Sequence, residues 1–480
     1  MPEACPSFEQ LAALVVEQAE TIERLNARIV VLEAEVDDLK RRLAQNSRNS
    51  SRPPSSDGLA KPPAPRSLRR RSGRKPGGQP GHDGGHLEMV ADPDEVLEHA
   101  VTGCDRCGRD LAGRPVESVE RRQVFDLPEI VLTVTEHRAQ RCRCACGHLS
   151  TASFPAGVSA PAQYGPRVRA LGLYLTCGQH LPYKRTAVLM SDWLGAPVST
   201  GTLATFIKDA AEGLDEFLDQ VHAGLISAPL VHFDETGARA GGKTRWLHCA
   251  SNEQLTFYAL HDRRGTEGID HCGVMPNYRG IAVHDGWPQY RSYRDVTHAL
   301  CNAHHLRELL AVIEADAEGQ SWAVQADRFL RRLHEKVLAA RDAGQDQLPG
   351  PALAGYRRAW GRIIALGHRQ NPPPTIRIGR RGPIGRTPAA NLLRRLDEHR
   401  ADVLRFAHDF RVPFDNNLVE RDIRMIKIQQ KISGSWRTTT GADRFFKIRG
   451  YISTARKQGQ SLLEALTTLA AGQPWLPATT

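Results

Sequence analysis

A run of alternating apolar segments and turns between Pro229 and Asp285 constrains the fold of this chain more than any other feature. The pattern predicts, in order, three strands, one helix and a fourth strand, at Leu230–Asp234, Thr244–Ala250, Gln254–Leu260, 265–272 and 280–284. The turn at 240–243 contains two adjacent glycines and predicts a hairpin between the first two strands. Two strands end in carboxylates, because the first ends at Asp234 and the fourth ends at Asp285.

This element order is that of a ribonuclease-H-like core, in which the first and fourth strands pair and would bring Asp234 next to Asp285. Two neighbouring carboxylates repel each other unless cations lie between them, and the hard ion Mg²⁺ prefers oxygen ligands. Two such ions, about 3.5–4 Å apart, can activate an attacking oxygen and stabilise the leaving oxygen of a phosphodiester. The pair therefore predicts a site for two Mg²⁺ ions, with Mn²⁺ as an alternative.

A helix predicted near Asn416–Lys431 supplies a third carboxylate, Glu420. Its spacing places Glu420, Arg424, Lys427 and Lys431 on one helix face. One acid followed by three bases suits a metal at one end and DNA phosphates along the rest, and we include the adjacent Arg421 among the predicted DNA contacts. The alternative is a solvated, salt-bridged face, which we would prefer if the two aspartates were absent.

Three sequence blocks, His232–Thr236, His284–Trp287 and Asn416–Arg424, resemble the signature blocks of the insertion-sequence-66 class of bacterial transposases. The likeness covers nearly the whole chain, with the motifs in the family's order. It implies DDE-type chemistry, in which metal-dependent cleavage at the transposon ends is followed by attack of the freed 3′-hydroxyl on target DNA. Carried over position by position, the catalytic and Mg²⁺-binding triad is Asp234, Asp285 and Glu420. The resemblance also makes accessory proteins of the same element plausible.

The long gap between Asp285 and Glu420 resembles the helical insertion of several DDE transposases. Cys301-Asn-Ala-His304 opens this insertion and is similar to a Cys-x-x-His element of the family. As a metal-binding pair it would lack partners, so we interpret it as packing or active-site support. Glu235 follows Asp234 on the same strand and should point to the opposite side of the sheet, outside the triad.

A cysteine-rich segment at 87–155 surrounds one apparent β stretch, Gln123–Ala139. Cys104-Asp-Arg-Cys107-Gly has the form of a zinc knuckle, in which two thiolates come from one tight turn. By likeness to the family, Cys144 and Cys146 supply the second pair, although Cys142 could replace either. Four thiolates around Zn²⁺ would make a structural site in a module with little core of its own. Unligated thiols are the alternative.

The N-terminal segment has a heptad pattern. Apolar residues occupy position a (Val15, Ile22, Ile29, Val36, Leu43), and leucines occupy four of the five d positions (Leu11, Gln18, Leu25, Leu32, Leu39). This pattern favours a parallel two-stranded coiled coil and hence a homodimer. The alternative is an amphipathic helix packed on its own domain.

A Pro-, Gly- and Ser-rich linker follows, and six of the ten residues from Arg66 to Lys75 are Arg or Lys. The alternatives here are a solvated tether and contact with the DNA backbone, and the rest of the chain favours DNA contact. The residues predicted to make it are Arg69, Arg70, Arg71, Arg74 and Lys75.

The chain should therefore be a multidomain α+β protein that binds transposon terminal repeats and target DNA. We expect a coiled-coil helix (8–45), a basic linker (46–86), a zinc-binding β module (87–155), a helical DNA-binding or connector region (156–226), the first part of the core (227–300), a helical insertion (301–410) and the C-terminal core helices (411–480). In the connector, Pro197–Leu203 predicts a short turn leading into a helix.

Composition agrees with a DNA partner, since 64 Lys and Arg against 54 Asp and Glu leave a formal net charge of +10. No apolar run approaches the roughly 18–20 residues of a membrane span, and no signal peptide is evident. We therefore expect a cytoplasmic, nucleoid-associated protein without a membrane partner. Two other functions fit the same features: a ribonuclease-H-like nuclease without strand transfer, and a zinc-dependent DNA-binding regulator with an inactive core.

Overall fold

A computed structural model of the protein describes residues 8–44, 85, 87–373 and 387–478. The chain divides into a small unit, Pro65–Val134, and a large unit formed by the rest. The fold is mixed α+β. The predicted DNA contacts of the linker, Arg69, Arg70, Arg71, Arg74 and Lys75, lie outside the described residues. Among the helices of the described ranges, none combines the length and apolar character needed to cross a membrane.

The heptad segment forms one continuous helix, α1 (Phe8–Ala44), of 37 residues. Apolar side chains at its a and d positions are solvent-exposed: Val15, Ile22, Leu25, Ile29, Leu32, Val36, Leu39 and Leu43. The predicted helix is confirmed. Its pairing with a second copy stays a prediction, which the exposed apolar stripe favours.

The predicted strand at Gln123–Ala139 is wrong, because these residues form no strand. The backbone of Val90 pairs instead with a side chain: the Gln123 amide donates to its carbonyl at 2.8 Å and accepts from its N–H at 2.7 Å. An alternating apolar pattern cannot become a strand without a partner backbone. Two short antiparallel strands lie further along the chain, β1 (Arg141–Arg143) and β2 (Leu149–Thr151).

Four helices precede the central sheet: α2 (Pro166–Leu173), α3 (Tyr183–Leu194), α4 (Thr200–Glu212) and α5 (Asp215–Ser227). A π-helical turn, Tyr174–Gly178, continues α2. The predicted turn into a helix is confirmed, because Ser199 caps α4 by accepting the Thr202 N–H at 3.0 Å.

The central sheet has five strands in the order β5-β4-β3-β6-β7. Their bounds are β3 (Leu230–Ala240), β4 (Lys243–Ser251), β5 (Thr256–His261), β6 (Ile281–His284) and β7 (Thr297–Leu300). Strands β3, β4 and β5 are antiparallel neighbours, whereas β6 pairs in parallel with both β3 and β7. The predicted pairing of the first and fourth strands is therefore present.

Two details of the sheet differ from the prediction. Asp234 lies within β3 rather than at its end, because β3 continues to Ala240 in the hairpin with β4. Strand β7 was missed, since its four residues precede a helix and carry no alternating pattern of useful length. Helices α6 (Thr266–Cys272) and α7 (Val274–Asn277) and a 3₁₀ turn (Pro288–Ser292) occupy the connections.

The described residues of the predicted insertion form a series of helices: α8 (Asn302–Ala315), α9 (Ser321–Asp342), α10 (Gly350–Gln370), α11 (Pro388–Glu398), α12 (Arg400–Val403) and α13 (Arg405–His408). Fully buried Trp322 and Trp360 anchor its own core. Three C-terminal helices then return to the sheet: α14 (Asn417–Ser433), α15 (Thr439–Lys457) and α16 (Leu462–Ala470).

The strand register decides which side chains face α14. Residues directly paired across antiparallel strands share a face of the sheet. Asp234 pairs with Cys249, and Cys249 pairs with Tyr258. The Tyr258 hydroxyl donates to the Asp422 carbonyl of α14 at 3.0 Å, so Asp234 lies on the face that α14 covers.

Glu235 lies on the opposite face, as predicted. It pairs with His248, whose ring is so close to Gly268 of α6 that a Cβ there would collide with it. The glycine permits α6 to pack directly on β4.

A buried ion pair fixes α14 to the sheet and to α15. Lys457 Nζ lies 2.8 Å from Asp422 Oδ2, with the two side chains 16% and 12% exposed. The same carboxylate accepts hydrogen bonds from the hydroxyls of Ser453 (3.2 Å) and Thr256 (3.4 Å). Asp422 thus ties together the three elements that position the neighbouring Glu420.

We predict that Asp422→Ala lowers the free energy of unfolding of the large unit by about 3–5 kcal/mol, because it leaves the Lys457 charge buried without its partner. Urea unfolding followed by tryptophan fluorescence measures this, since all seven tryptophans belong to that unit. The matched control is Arg421→Ala, one residue earlier on the exposed side of α14, which should stay within about 0.5 kcal/mol of the parent. Equal unfolding midpoints for the two variants would contradict this role of Asp422.

Candidate functional site

Asp234 and Asp285 occupy matching positions on neighbouring parallel strands. Leu230 pairs with Ile281 and His232 with Val283, and the same offset continued along the strands aligns Asp234 with Asp285. Backbone amides orient both carboxylates: Asp234 Oδ1 accepts the Glu235 N–H at 2.9 Å, and Asp285 Oδ1 accepts the Trp287 N–H at 2.8 Å.

Glu420 lies in the first turn of α14, on the helix that covers this face. Burial raises the pKa of Asp234 well above its usual value, and the charges of Glu235, Asp285 and Glu420 raise it further. Burial also raises the pKa values of Asp285 and Glu420, and the Asp285 charge adds to the rise at Glu420. Neighbouring carboxylates thus disfavour the ionised form of Asp234, and Asp285 disfavours that of Glu420, an effect that a divalent cation would relieve.

Asn416, the N-cap residue of α14, connects the elements that carry the carboxylates. Its Oδ1 lies 2.7 Å from His232 Nδ1, and its Nδ2 donates to the Phe233 carbonyl at 3.0 Å. Its backbone N–H donates to Cys301 Sγ at 3.2 Å. Asn416 is 1% exposed, so these bonds form in a dry environment. Asn416 and His232 belong to separate sequence blocks, and the sequence did not predict their contact.

His284, which precedes Asp285 in the sequence, pairs with His298. The Gly286 N–H donates to His284 Nδ1 at 3.0 Å, so the proton of the neutral ring lies on Nε2. That nitrogen can then donate to His298 Nδ1 at 3.0 Å. Burial lowers the pKa of His284 well below its usual value, which keeps the ring neutral.

Arg264 is a positively charged residue near Asp285 that sequence reasoning missed. Its guanidinium lies between two indoles, 4.9 Å from the Trp246 ring centroid and 4.4 Å from that of Trp287. It also donates to Glu235 Oε1 at 2.9 Å through Nε, while the Tyr290 hydroxyl donates to Oε2 at 2.6 Å. Glu235 is thus committed to holding Arg264, which agrees with its exclusion from the predicted triad.

Cys301 and His304, at the start of α8, lie beside Glu420. One donor atom of each of these residues lies within 4.8 Å of the other two, an arrangement that could hold a metal ion. The expectation that the Cys-x-x-His pair would lack partners is therefore wrong. Glu420 follows Cys301 by more than a hundred positions, and only the fold brings it to this pair.

The predicted DNA contacts of α14, Arg421, Arg424, Lys427 and Lys431, are all exposed. Lys427 differs from the others because its Nζ donates to the Gly237 carbonyl of β3 at 2.8 Å. Contact with the sheet partly shields the Lys427 ammonium group from water, which lowers its pKa. Lys427 is thus partly committed to the protein itself.

The first cysteine turn, in the small unit, has the backbone of a metal knuckle. The Gly108 N–H donates to the Cys104 carbonyl at 2.9 Å, and Gly108 has a φ of 68°. The backbone amides of Arg106 and Cys107 lower the pKa of the Cys104 thiol. This favours the thiolate that a metal requires.

The second turn, in the large unit, repeats this arrangement. The Gly147 N–H donates to the Cys144 carbonyl at 2.9 Å, and the Cys146 backbone lowers the pKa of the Cys144 thiol. Cys142 lies outside the turn, in β1 opposite Ser150. The turn itself therefore favours Cys144 and Cys146 as the ligand pair.

Residues 161–444 match a family model described as Transposase IS66 family. The match covers more than half of the chain, which therefore belongs to this family of transposases. Membership makes the protein a nucleic-acid-processing enzyme of DNA transposition that binds DNA and uses a divalent metal. Residues 3–88 match a second model, described as a family of unknown function (DUF6444). No curated protein matches the chain.

We predict that Asp234→Asn stabilises the metal-free protein at pH 8. A carboxyl group whose pKa is higher in the folded protein stabilises the fold at pH values below its pKa in the unfolded chain, near 3.8. This stabilisation is lost as the pH rises through the pKa of the folded state. Replacing Asp234 by the neutral Asn removes the buried negative charge, so the lost stability is regained at pH 8. With a chelator present, the variant should therefore melt several degrees higher than the parent. The difference should shrink as the pH falls toward 4.

Thermal melts with and without Mg²⁺ test this. Mg²⁺ should raise the melting temperature of the parent more than that of the variant, because the parent keeps the full ligand set. Asp192→Asn, on the exposed side of α3, is the control and should melt like the parent throughout. A chelated Asp234→Asn protein that melts below the parent at pH 8 would refute the account of repelling carboxylates.

Proposed function

We propose that the protein is a DDE transposase in which Asp234, Asp285 and Glu420, on a ribonuclease-H-like core, hold two divalent cations at a DNA phosphodiester. The observation that carries the proposal is that Asp234 and Asp285 share one register position of the sheet, while Glu420 lies in the first turn of the helix that covers the face of Asp234. The antiparallel hairpins followed by parallel strands β6 and β7 support the core assignment.

The donor set fits Mg²⁺ or Mn²⁺. The aspartates offer only oxygen ligands, and their mutual repulsion is the kind that bound cations relieve. Glu420 Oε1 is a buried oxygen that accepts no hydrogen bond within the described part of the chain. When bound, the metal supplies activation of the attacking oxygen and stabilisation of the leaving oxygen.

The protein's own residues would position these ligands and the DNA. Asn416 and His232 hold the start of α14 against β3, which fixes the approach of Glu420. Arg264 brings a positive charge near Asp285, suited to a phosphate oxygen. Arg424 and Lys431 extend along the exposed side of α14, where a DNA backbone would lie.

The proposed reaction has two balanced steps. Water first attacks the phosphorus at a transposon end, the bond from phosphorus to the 3′-oxygen breaks, and the 3′-oxygen leaves with a proton. The freed 3′-hydroxyl then attacks a phosphodiester of target DNA. One P–O bond forms as another breaks, so strand transfer needs no external energy source.

Two further parts of the proposal concern assembly. The exposed apolar stripe of α1 favours a homodimer through a parallel coiled coil. The structural zinc site of Cys104, Cys107, Cys144 and Cys146, which would help recognise the terminal repeats, stays a prediction from the sequence. The basic linker and accessory proteins of the same element remain predicted DNA and protein contacts.

The test uses the full-length protein and DNA carrying the inverted repeats that flank its gene. With Mg²⁺ or Mn²⁺ we expect end cleavage and joined products. Asp234→Ala and Glu420→Ala should each lower cleavage by roughly 1000-fold, because a lost metal ligand removes several kcal/mol of transition-state stabilisation. Glu216→Ala, an exposed acid on α5, is the matched control and should cut like the parent.

The products separate the alternative functions. Cut DNA without joined DNA would favour a nuclease that lacks strand transfer. Undiminished biological effect of a variant with all three carboxylates replaced by alanine would favour a DNA-binding regulator. Cleavage and joining at parental rates by Asp234→Ala and Glu420→Ala would exclude the proposed triad.

A further inference from the structure

We propose that Cys301, His304 and Glu420 form a second metal site, one for a thiophilic ion such as Zn²⁺, and that an ion bound there inhibits the enzyme by withdrawing Glu420 from the acidic triad. The site is separate in its chemistry from the proposed Mg²⁺ site, since it includes a thiol and an imidazole. Its inhibitory consequence rests on the proposed function, whereas the binding itself does not.

The geometry needs only small adjustments. The three donor atoms lie within 4.8 Å of one another, and His304 Nδ1 is 4.0 Å from Glu420 Oε1. Donors around a tetrahedral zinc ion lie about 3.3–3.7 Å apart, as Zn–N and Zn–S bonds of roughly 2.0 and 2.3 Å require. Closing each pair of donors by at most about 1.5 Å would complete three corners of a tetrahedron. Cys301 and His304 can act together because they lie three residues apart at the start of α8.

Two of the donors have no other hydrogen-bonding role. His304 Nδ1 and Glu420 Oε1 are buried, and neither makes a hydrogen bond within the part of the chain that the structure describes. Such atoms are costly unless a ligand satisfies them. They point to a shared partner that bonds to both a ring nitrogen and a carboxylate oxygen, as a metal ion does.

The third donor is prepared for a metal in a different way. Cys301 Sγ accepts the Asn416 N–H at 3.2 Å, which holds the sulfur in place within reach of His304 and Glu420. Mg²⁺ is a poor competitor here, because thiolate and imidazole ligands select softer ions such as Zn²⁺.

The Arg307 side chain carries a positive charge close to Glu420. Arg307 Nη2 lies 3.9 Å from Glu420 Oε1. Its side chain is 29% exposed, so it can turn toward solvent when a cation arrives. Glu420 Oε1 can thus act as a ligand either beside Cys301 and His304 or beside the aspartates. A metal ion bound at Cys301 and His304 withdraws this oxygen from the aspartates.

Binding is tested on the full-length protein, stripped with a chelator and loaded with Zn²⁺ alone. We expect the parent to retain one more equivalent of Zn²⁺ than Cys301→Ser, whatever the two cysteine turns bind. Cys272→Ser, which alters a buried thiol outside the cluster, is the matched control and should keep the parental equivalent. If Cys301→Ser does not fold by circular dichroism, His304→Gln should show the same loss of one equivalent.

Inhibition is tested separately, by adding Zn²⁺ to the Mg²⁺-dependent cleavage reaction. The Zn²⁺ concentration for half inhibition, relative to each variant's own rate, should rise about 10–100-fold in Cys301→Ser, a range that even outer-shell changes at metal sites reach. Equal Zn²⁺ equivalents in the parent, Cys301→Ser and His304→Gln would overturn the site. Loss of the equivalent without a change in half inhibition would overturn its inhibitory role. Absence of Mg²⁺-dependent cleavage in the parent would count against the proposed function and leave the binding result standing.

Discussion

Parallel pairing of β3 with β6 brings Asp234 and Asp285 to one position of the sheet. The fold must therefore hold two neighbouring carboxylates whose negative charges repel each other. Both carboxylates are held by backbone amides rather than by cations of the protein. Arg264, the nearby guanidinium, is committed to Glu235 on the opposite face. The fold and the proposed chemistry therefore depend on the same strand pairing.

The position of Glu420 depends on long-range contacts rather than on its own helix. Asn416 joins the start of α14 to β3, and six residues later Asp422 joins it to α15 through Lys457. The same helix brings Glu420 beside Cys301 and His304. In our proposals this one carboxylate serves both the Mg²⁺ site and the Zn²⁺ site, so the two metals compete for it.

The order of the core elements could be predicted because buried strands and glycine turns leave local patterns. The length of β3 could not, since its extension to Ala240 depends on the hairpin with β4. The short strand β7 has too few residues to show a period. The alternating stretch at Gln123–Ala139 suggested a strand where no partner backbone exists in the described residues, which shows that alternation alone does not make a ladder.

Within the candidate site, residue spacing led to the three proposed carboxylates, but not to the side chains around them. Arg264 stacks between Trp246 and Trp287, which are distant in sequence, and no local pattern indicates this contact. The sequence likewise indicated no metal-binding partner for Cys301 and His304, because Glu420 is distant from both in the sequence. Such contacts arise only when helices and strands are assembled.

Anomalous diffraction from crystals of the DNA-bound protein grown with Mn²⁺ tests the central claim most directly. The account predicts manganese peaks about 2.1 Å from carboxylate oxygens of Asp234, Asp285 and Glu420. A well-ordered DNA complex whose manganese lies elsewhere, with the three carboxylates too far apart to share ions, would contradict it.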